Sequence, residues 1–154
     1  MKYDVFDSAY GIVTDRCRKG IFILLDTHMI IWALTDDPKL SEKAREIILN
    51  PDNSIYFSVL SLWEIEIKRL IKPELLPITA KEISDYCKQS GFNLLELQEK
   101  SIHILQNLSR PDTEPPHKDP FDRMLLCQAI SNNMMFLTHD SKIIGYDTDK
   151  IIFA

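Results

Sequence analysis

Ile21-Phe22-Ile23-Leu24-Leu25 is an unbroken apolar run that ends on Asp26. A run this short, bounded by polar residues, reads as a strand buried on both faces, as in a parallel sheet. Met29, Ile30, Trp32, Ala33 and Leu34 follow at the density of a short buried helix, which Asp36-Asp37-Pro38 ends because proline cannot continue it. Ser41 caps a second helix to about Leu49, with Ala44, Ile47 and Ile48 on one face. Asn50 to Asn53 is a turn, and Ser54 to Leu60 is a second strand. Ser61 opens a helix whose apolar side carries Trp63, Ile67 and Leu70. Thr79-Ala80-Lys81-Glu82 is a capping box for the next helix, which closes at Gly91. Phe92 to Leu97 is a third strand, and Ile102, Leu105 and Leu108 recur at helical spacing. Arg110 to Lys118 is a proline-rich loop. Asp119 then caps, and Pro120 begins, what reads as the longest helix, to about Asn133. Met134 to Thr138 is a fourth strand and Ile151 to Phe153 a short fifth.

Strands alternating with helices indicate a parallel sheet with right-handed crossovers and helices on both faces. Such a sheet has a switch point, and ligands bind there, outside the carboxyl ends of the strands. Strand one ends at Asp26 and strand four at His139-Asp140. If these strands are neighbours at the switch point, the two carboxylates face each other across the crevice. Glu64 lies one turn into the helix after strand two, and Asp122 one turn into the helix before strand four. Both helix starts reach the same rim.

The remaining composition narrows the class. At 154 residues, 45% apolar and 27% charged, the chain is one soluble globular domain of ordinary size. A net charge of −5 is no electrostatic footprint for nucleic acid, although metal ions can supply positive charge locally. Cys17, Cys87 and Cys127 are odd in number and irregular in spacing, which fits core thiols in a reducing compartment. No apolar run approaches a membrane span, and residues 1–19 lack the apolar core of a secretory leader, so a cytoplasmic protein without membrane contact is expected. Residues 1–19 read as an N-terminal extension of undefined structure, and 20–154 as the folded domain.

The ordered pieces Leu24-Leu25-Asp26-Thr27-His28, Ser61-Leu62-Trp63-Glu64-Ile65, His117-Lys118-Asp119-Pro120-Phe121-Asp122-Arg123 and Leu137-Thr138-His139-Asp140 resemble the PIN-domain ribonucleases, and closely the VapC-type toxins of bacterial toxin–antitoxin pairs. The resemblance runs from about Gly20 to Ala154, and its most specific piece is His-Lys-Asp-Pro-Phe-Asp-Arg. It implies a three-layer α/β/α sandwich around a parallel sheet of four to five strands. It also implies Mg²⁺- or Mn²⁺-dependent endonucleolytic cleavage of RNA, a homodimer, and a cognate antitoxin that blocks the site. Carried over by position, Asp26, Glu64, Asp122 and Asp140 are the catalytic, metal-binding quartet, with Thr27, Thr138 and Asp119 in support.

The chemistry is consistent with those residue types. Phosphodiester hydrolysis brings an anion against an anion, and a hard divalent cation takes oxygen ligands. Without metal, clustered carboxylates repel, so at least one is expected to have a raised pKa. Each acid also has a structural reading. Asp26 and Asp119 are helix caps, Glu64 fits a capping box from Ser61 or an i,i+4 pair with Lys68, Asp122 favours a helix dipole, and Asp140 is a turn residue. His28, His117 and His139 read as hydrogen-bonding loop residues, and Trp32, Trp63, Met134 and Met135 as core. Two other classes of role remain, a catalytically inactive PIN-like binding module and a stand-alone RNA-processing nuclease. A phosphoacceptor receiver is excluded, because strand one ends in a single acid and Leu97-Gln98 follows strand three where the acceptor Asp belongs.

Overall fold

The computed structural model describes residues 20–154; the N-terminal extension and Cys17 lie outside them. Five strands, β1 (Phe22–Leu25), β2 (Ser54–Ser58), β3 (Asn93–Leu95), β4 (Met135–Thr138) and β5 (Ile151–Phe153), form one sheet. Their order is β3-β2-β1-β4-β5, and every neighbouring pair is parallel. Around it lie α1 (Thr27–Thr35), α2 (Glu42–Leu49), α3 (Val59–Ile71), α4 (Ala80–Gln89), α5 (Glu99–Ile104) and α6 (Pro120–Ser131).

The alternation of side chains along β1 divides the core into two layers. Ile23 and Leu25 point to one face, where they meet Met29 and Ile30 of α1, Ala44 of α2 and Ile83 and Cys87 of α4. Leu24 points to the other, against Phe136 and the α6 residues Leu125, Leu126 and Ala129. Strands β2 and β4 alternate in the same way, Ile55 and Phe57 toward the first layer and Phe136 toward the second. This explains the apolar stretch Ile23-Leu24-Leu25, which is covered on both faces; Ile21 and Phe22, at the start of the run, are exposed. The result is a three-layer α/β/α sandwich. The chain adds β2 and β3 on one side of β1, and β4 and β5 on the other, so the switch point falls between β1 and β4.

Local signals set most boundaries. The Thr79–Glu82 capping box forms in full, and Gly91, at φ 82°, takes the left-handed conformation that ends the turn after α4. Two expectations change. Helix α3 begins at Val59, not at Ser61, because the Ser58 hydroxyl accepts from the Leu60 N–H and caps the helix a turn earlier. That shortens β2 and makes α3, with 13 residues, longer than the 12-residue α6. The same Ser58 hydroxyl donates to Gln128 Oε1 at 2.6 Å, and Gln128 Nε2 donates to the Glu96 carbonyl. This buried amide fixes α6 against the carboxyl ends of β2 and β3. The thiols of Cys87 and Cys127 are buried, and burial pushes them up to about 12 and about 11, which leaves them unreactive. No helix among the described residues is long and apolar enough to cross a membrane.

Candidate active site

The register of β1 against β4 sets Leu25 beside Leu137, so the residues that follow each strand meet at the sheet edge. Asp26 is 1% exposed. Its Oδ1 accepts from the Thr27 N–H at 2.7 Å and caps α1, while its Oδ2 accepts from the Thr138 hydroxyl at 2.6 Å. The same threonine oxygen accepts from the Asp140 N–H at 3.0 Å. Thr138 therefore ties the tip of β1 to the loop after β4. Thr27 does the corresponding work on the other side, donating to Glu64 Oε2 at 2.6 Å. Glu64 is itself 4% exposed and projects from α3.

Asp119 is the N-cap of α6, its Oδ1 accepting from the N–H groups of Phe121 and Asp122. That cap, with Pro120 at the first helical position, aims Asp122 inward one turn later. Asp26, Glu64, Asp119 and Asp122 line one small cavity of about 160 Å³, together with Thr27, His28 and Lys68. Asp140 does not line this cavity but lies near Asp122 and His117. His117 Nε2 lies 3.2 Å from Asp122 Oδ2 and 4.0 Å from Asp140 Oδ2, and its Nδ1 lies 3.1 Å from the Tyr146 hydroxyl. His117, Asp122 and Asp140 each place one ligand atom within 4.8 Å of the others. The second Asp140 oxygen accepts from the Lys142 N–H, so Asp140 also holds its own turn.

The electrostatics record the crowding. Burial, and then the charges of Asp26, Asp119, Glu64 and Asp140, push the Asp122 carboxyl up to about 8. Burial raises Asp26 as well, against the opposing pull of His28 and the hydrogen bonds from Thr138 and Thr27. Burial holds His117 below its ordinary value, which favours the neutral imidazole. Among the described residues, one lysine lines the pocket. Lys68 does not point along the helix away from the acids; its ammonium pairs with Glu64 Oε1. Burial alone would lower Lys68, but the Glu64 contact and the charges of Asp119 and Asp122 outweigh it and raise it. The pocket is therefore only partly neutralised from within.

The sequence model of the PIN domain matches residues 23–148. The chain belongs to the PIN domain family. Among solved structures, this PIN domain is similar to VapBC2 from Rickettsia felis, bound there to a DNA fragment from its promoter. Identity is 18%, the match covers 87% of this chain and 98% of that one, and the TM-score is 0.60. VapBC-1 from nontypeable Haemophilus influenzae matches with 18% identity, 80% and 90% coverage and a TM-score of 0.52. A toxin–antitoxin complex from Klebsiella pneumoniae matches with 18% identity, 84% and 95% coverage and a TM-score of 0.51. No curated protein matches the chain at a significant level.

Asp26, Glu64, Asp122 and Asp140 thus come to one sheet edge of this PIN domain, with Thr27, Thr138 and Asp119 as their hydrogen-bonding and capping partners. The capping box from Ser61 to Glu64 does not form, because Ser61 already lies inside α3. His117, read from the sequence as a hydrogen-bonding loop residue of the His-Lys-Asp-Pro-Phe-Asp-Arg motif, is one: its ring lies between the Tyr146 hydroxyl and Asp122. Lys68 was visible as an i,i+4 partner of Glu64, but helical spacing alone does not say that the pair faces the pocket. Trp63, expected in the core, is 60% exposed and packs edge-on to Phe121 at 5.2 Å.

Proposed function

We propose that this PIN domain is a divalent-metal-dependent endoribonuclease, and that it acts in the cytoplasm as the toxin of a toxin–antitoxin pair. The observation that carries the reading is the convergence of Asp26, Glu64, Asp119 and Asp122 on one cavity of about 160 Å³, crowded enough to push the Asp122 carboxyl up to about 8. Side chains that only cap helices have no reason to converge until one of them resists ionisation. The donor set fits a hard cation: it is dominated by carboxylate oxygen, and the described cysteines are buried away from it. Asp26, Glu64, Asp122 and Asp140 would hold Mg²⁺ or Mn²⁺, which when bound offsets the charge of a phosphodiester and makes water more acidic.

The chain's own residues do the rest. Thr138 and Thr27 fix the rotamers of Asp26 and Glu64, so that both carboxylates are set before substrate arrives. Asp119 anchors the first turn of α6 and with it Asp122. Near neutral pH the Asp122 carboxyl, pushed up to about 8, holds its proton in the metal-free protein, and the His117 ring, kept neutral by burial, is its hydrogen-bonding partner at 3.2 Å.

The toxin role rests on likeness. The solved structures of similar fold are described as VapBC or toxin–antitoxin complexes, which supports an antitoxin as the partner of this chain. Exposed Trp63, Leu70, Ile71 and Leu75 supply apolar surface for that partner or for a second copy. A homodimer is expected, with a sedimentation mass of two chains at micromolar concentration; a mass of one chain counts against it.

A mixed RNA pool should be cut by the wild-type chain in Mg²⁺ or Mn²⁺, left intact in EDTA, and left intact by Asp26→Asn. Expression of the chain alone should slow bacterial growth, and Asp26→Asn should relieve it. Cleavage that persists in EDTA overturns the metal mechanism. Equal toxicity of a folded Asp26→Asn variant shows that the growth effect is not catalytic.

A further inference from the structure

Four rings stand beside the acidic pocket on the β4–β5 side of the sheet. His28 is the second residue of α1, and Trp32 lies one turn further along it. His139 follows β4, and Phe153 belongs to β5, paired in register with Thr138. The His28 and Trp32 rings meet edge-on at 4.7 Å, and Trp32 and His139 at 5.7 Å. His139 stacks on Phe153 with centroids 5.4 Å apart and planes 11° from parallel.

Hydrogen bonds hold the imidazoles in place. The His139 backbone N–H donates to His28 Nε2 at 3.3 Å, which leaves the His28 ring proton on Nδ1, 3.5 Å from Asp26 Oδ2. The His139 Nδ1 donates to the Ala154 carbonyl at 2.8 Å. The group is therefore continuous with the pocket and fixed relative to it. It is also open: Phe153 is 40% exposed and the His28 side chain 33%. Lys43 places its ammonium 2.9 Å from the Phe153 carbonyl, a local cation on a chain of net charge −5.

Aromatic faces beside a cation, next to the pocket proposed to take a phosphodiester, are what single-stranded nucleic acid recognition requires. Unpaired bases stack on such rings whatever their sequence, while the cation follows the backbone. We propose that His28, Trp32, His139 and Phe153 form a stacking platform for a base of single-stranded RNA flanking the phosphate held at the acidic pocket. This inference rests on the nuclease reading of the pocket. It assigns the substrate a conformation, since a base inside a duplex cannot reach the rings.

The test uses a short single-stranded RNA carrying the fluorescent base 2-aminopurine, bound in Mg²⁺ to the Asp122→Asn chain so that binding is read without turnover. Quenching of the base on binding is expected. Adding Phe153→Leu should remove the quench and weaken Kd about tenfold, and His139→Leu should act in the same direction. Phe153→Tyr should retain both. Unchanged binding and quenching in Phe153→Leu overturns the platform. So does a Phe153→Leu chain that loses only a dimer contact, since the rings would then serve a second copy. Quenching that depends on Phe153, with no cleavage by the wild-type chain, keeps the platform and removes the nuclease reading. Cleavage without any effect of Phe153 does the reverse.

Discussion

Asp122→Asn is expected to lower RNA cleavage in Mg²⁺ by at least about a hundredfold and, at the same time, to raise the melting temperature of the metal-free protein. The two effects have one cause. The Asp122 carboxyl is pushed up to about 8, first by burial and then by Asp26, Asp119, Glu64 and Asp140, against about 3.9 in an unfolded chain. A raised acid binds more protons folded than unfolded. Its contribution to stability is present in full below about pH 3.9 and is lost as pH rises through about 8. Within that window each pH unit costs at most about 1.4 kcal/mol. Asparagine has no such cost at any pH, but it brings no negative charge to a cation. Melting curves in EDTA at pH 5, 6.5 and 8 separate the roles. The wild-type chain should lose stability across the series relative to Asp122→Asn, with the gap widest at pH 8. Parallel curves would mean that Asp122 is not crowded in solution. A cleavage-competent Asp122→Asn would remove it from the chemistry.

Asp122 could be singled out from sequence because its signals are local. Asp119-Pro120 fixes where α6 starts, so Asp122 must lie on its first turn. Asp26 was legible for a similar reason, as the first polar residue after a strand covered on both faces. That a sheet with helices on both sides has a switch point was legible; that it falls between β1 and β4 was a condition, which the strand order meets. Other features depended on choices that local pattern does not make. Ser58 and Ser61 are both competent caps, and Val59-Leu60 suits either a strand end or a helix start; the Ser58–Gln128 bond across the core favours the earlier one. His117 is placed by the Tyr146 hydroxyl, 29 residues away in the chain. The rings of His28, Trp32, His139 and Phe153 come from both ends of the described chain, and no periodicity joins them. Trp63 lies on the apolar side of α3 by spacing, yet that side extends past the core onto the surface.

Mg²⁺ is expected to stabilise the folded chain, and Lys68 to oppose it. A ligand that binds only the folded state adds about 2.7 kcal/mol at 100 times its dissociation constant, which for a domain of this size is roughly 5–10 °C in melting temperature. The shift should be larger at pH 8 than at pH 5.5, because a cation at the carboxylates must displace the proton that Asp122 retains up to about 8. In the metal-free protein part of that charge is already answered by the Lys68 ammonium, paired with Glu64 and drawn toward Asp119 and Asp122. Lys68→Met keeps most of the length of the stem and removes the charge. Glu64, 4% exposed, then keeps the Thr27 hydroxyl but shares the cavity with three other acids and no lysine. The metal-free melting temperature should fall. The loss should be modest, about 1 kcal/mol, because the Lys68 side chain is 64% exposed and water screens the pair. The Mg²⁺-induced shift should grow, since the cation meets a more negative pocket. A Lys68→Met chain with unchanged metal-free stability and a smaller Mg²⁺ shift would show that the ammonium does not compete for the pocket but orients Glu64 within it. Adding Glu64→Gln to both the wild-type and the Lys68→Met chains checks that the effect runs through this pair. It removes the charged partner that both accounts require, and should abolish the difference that Lys68→Met makes.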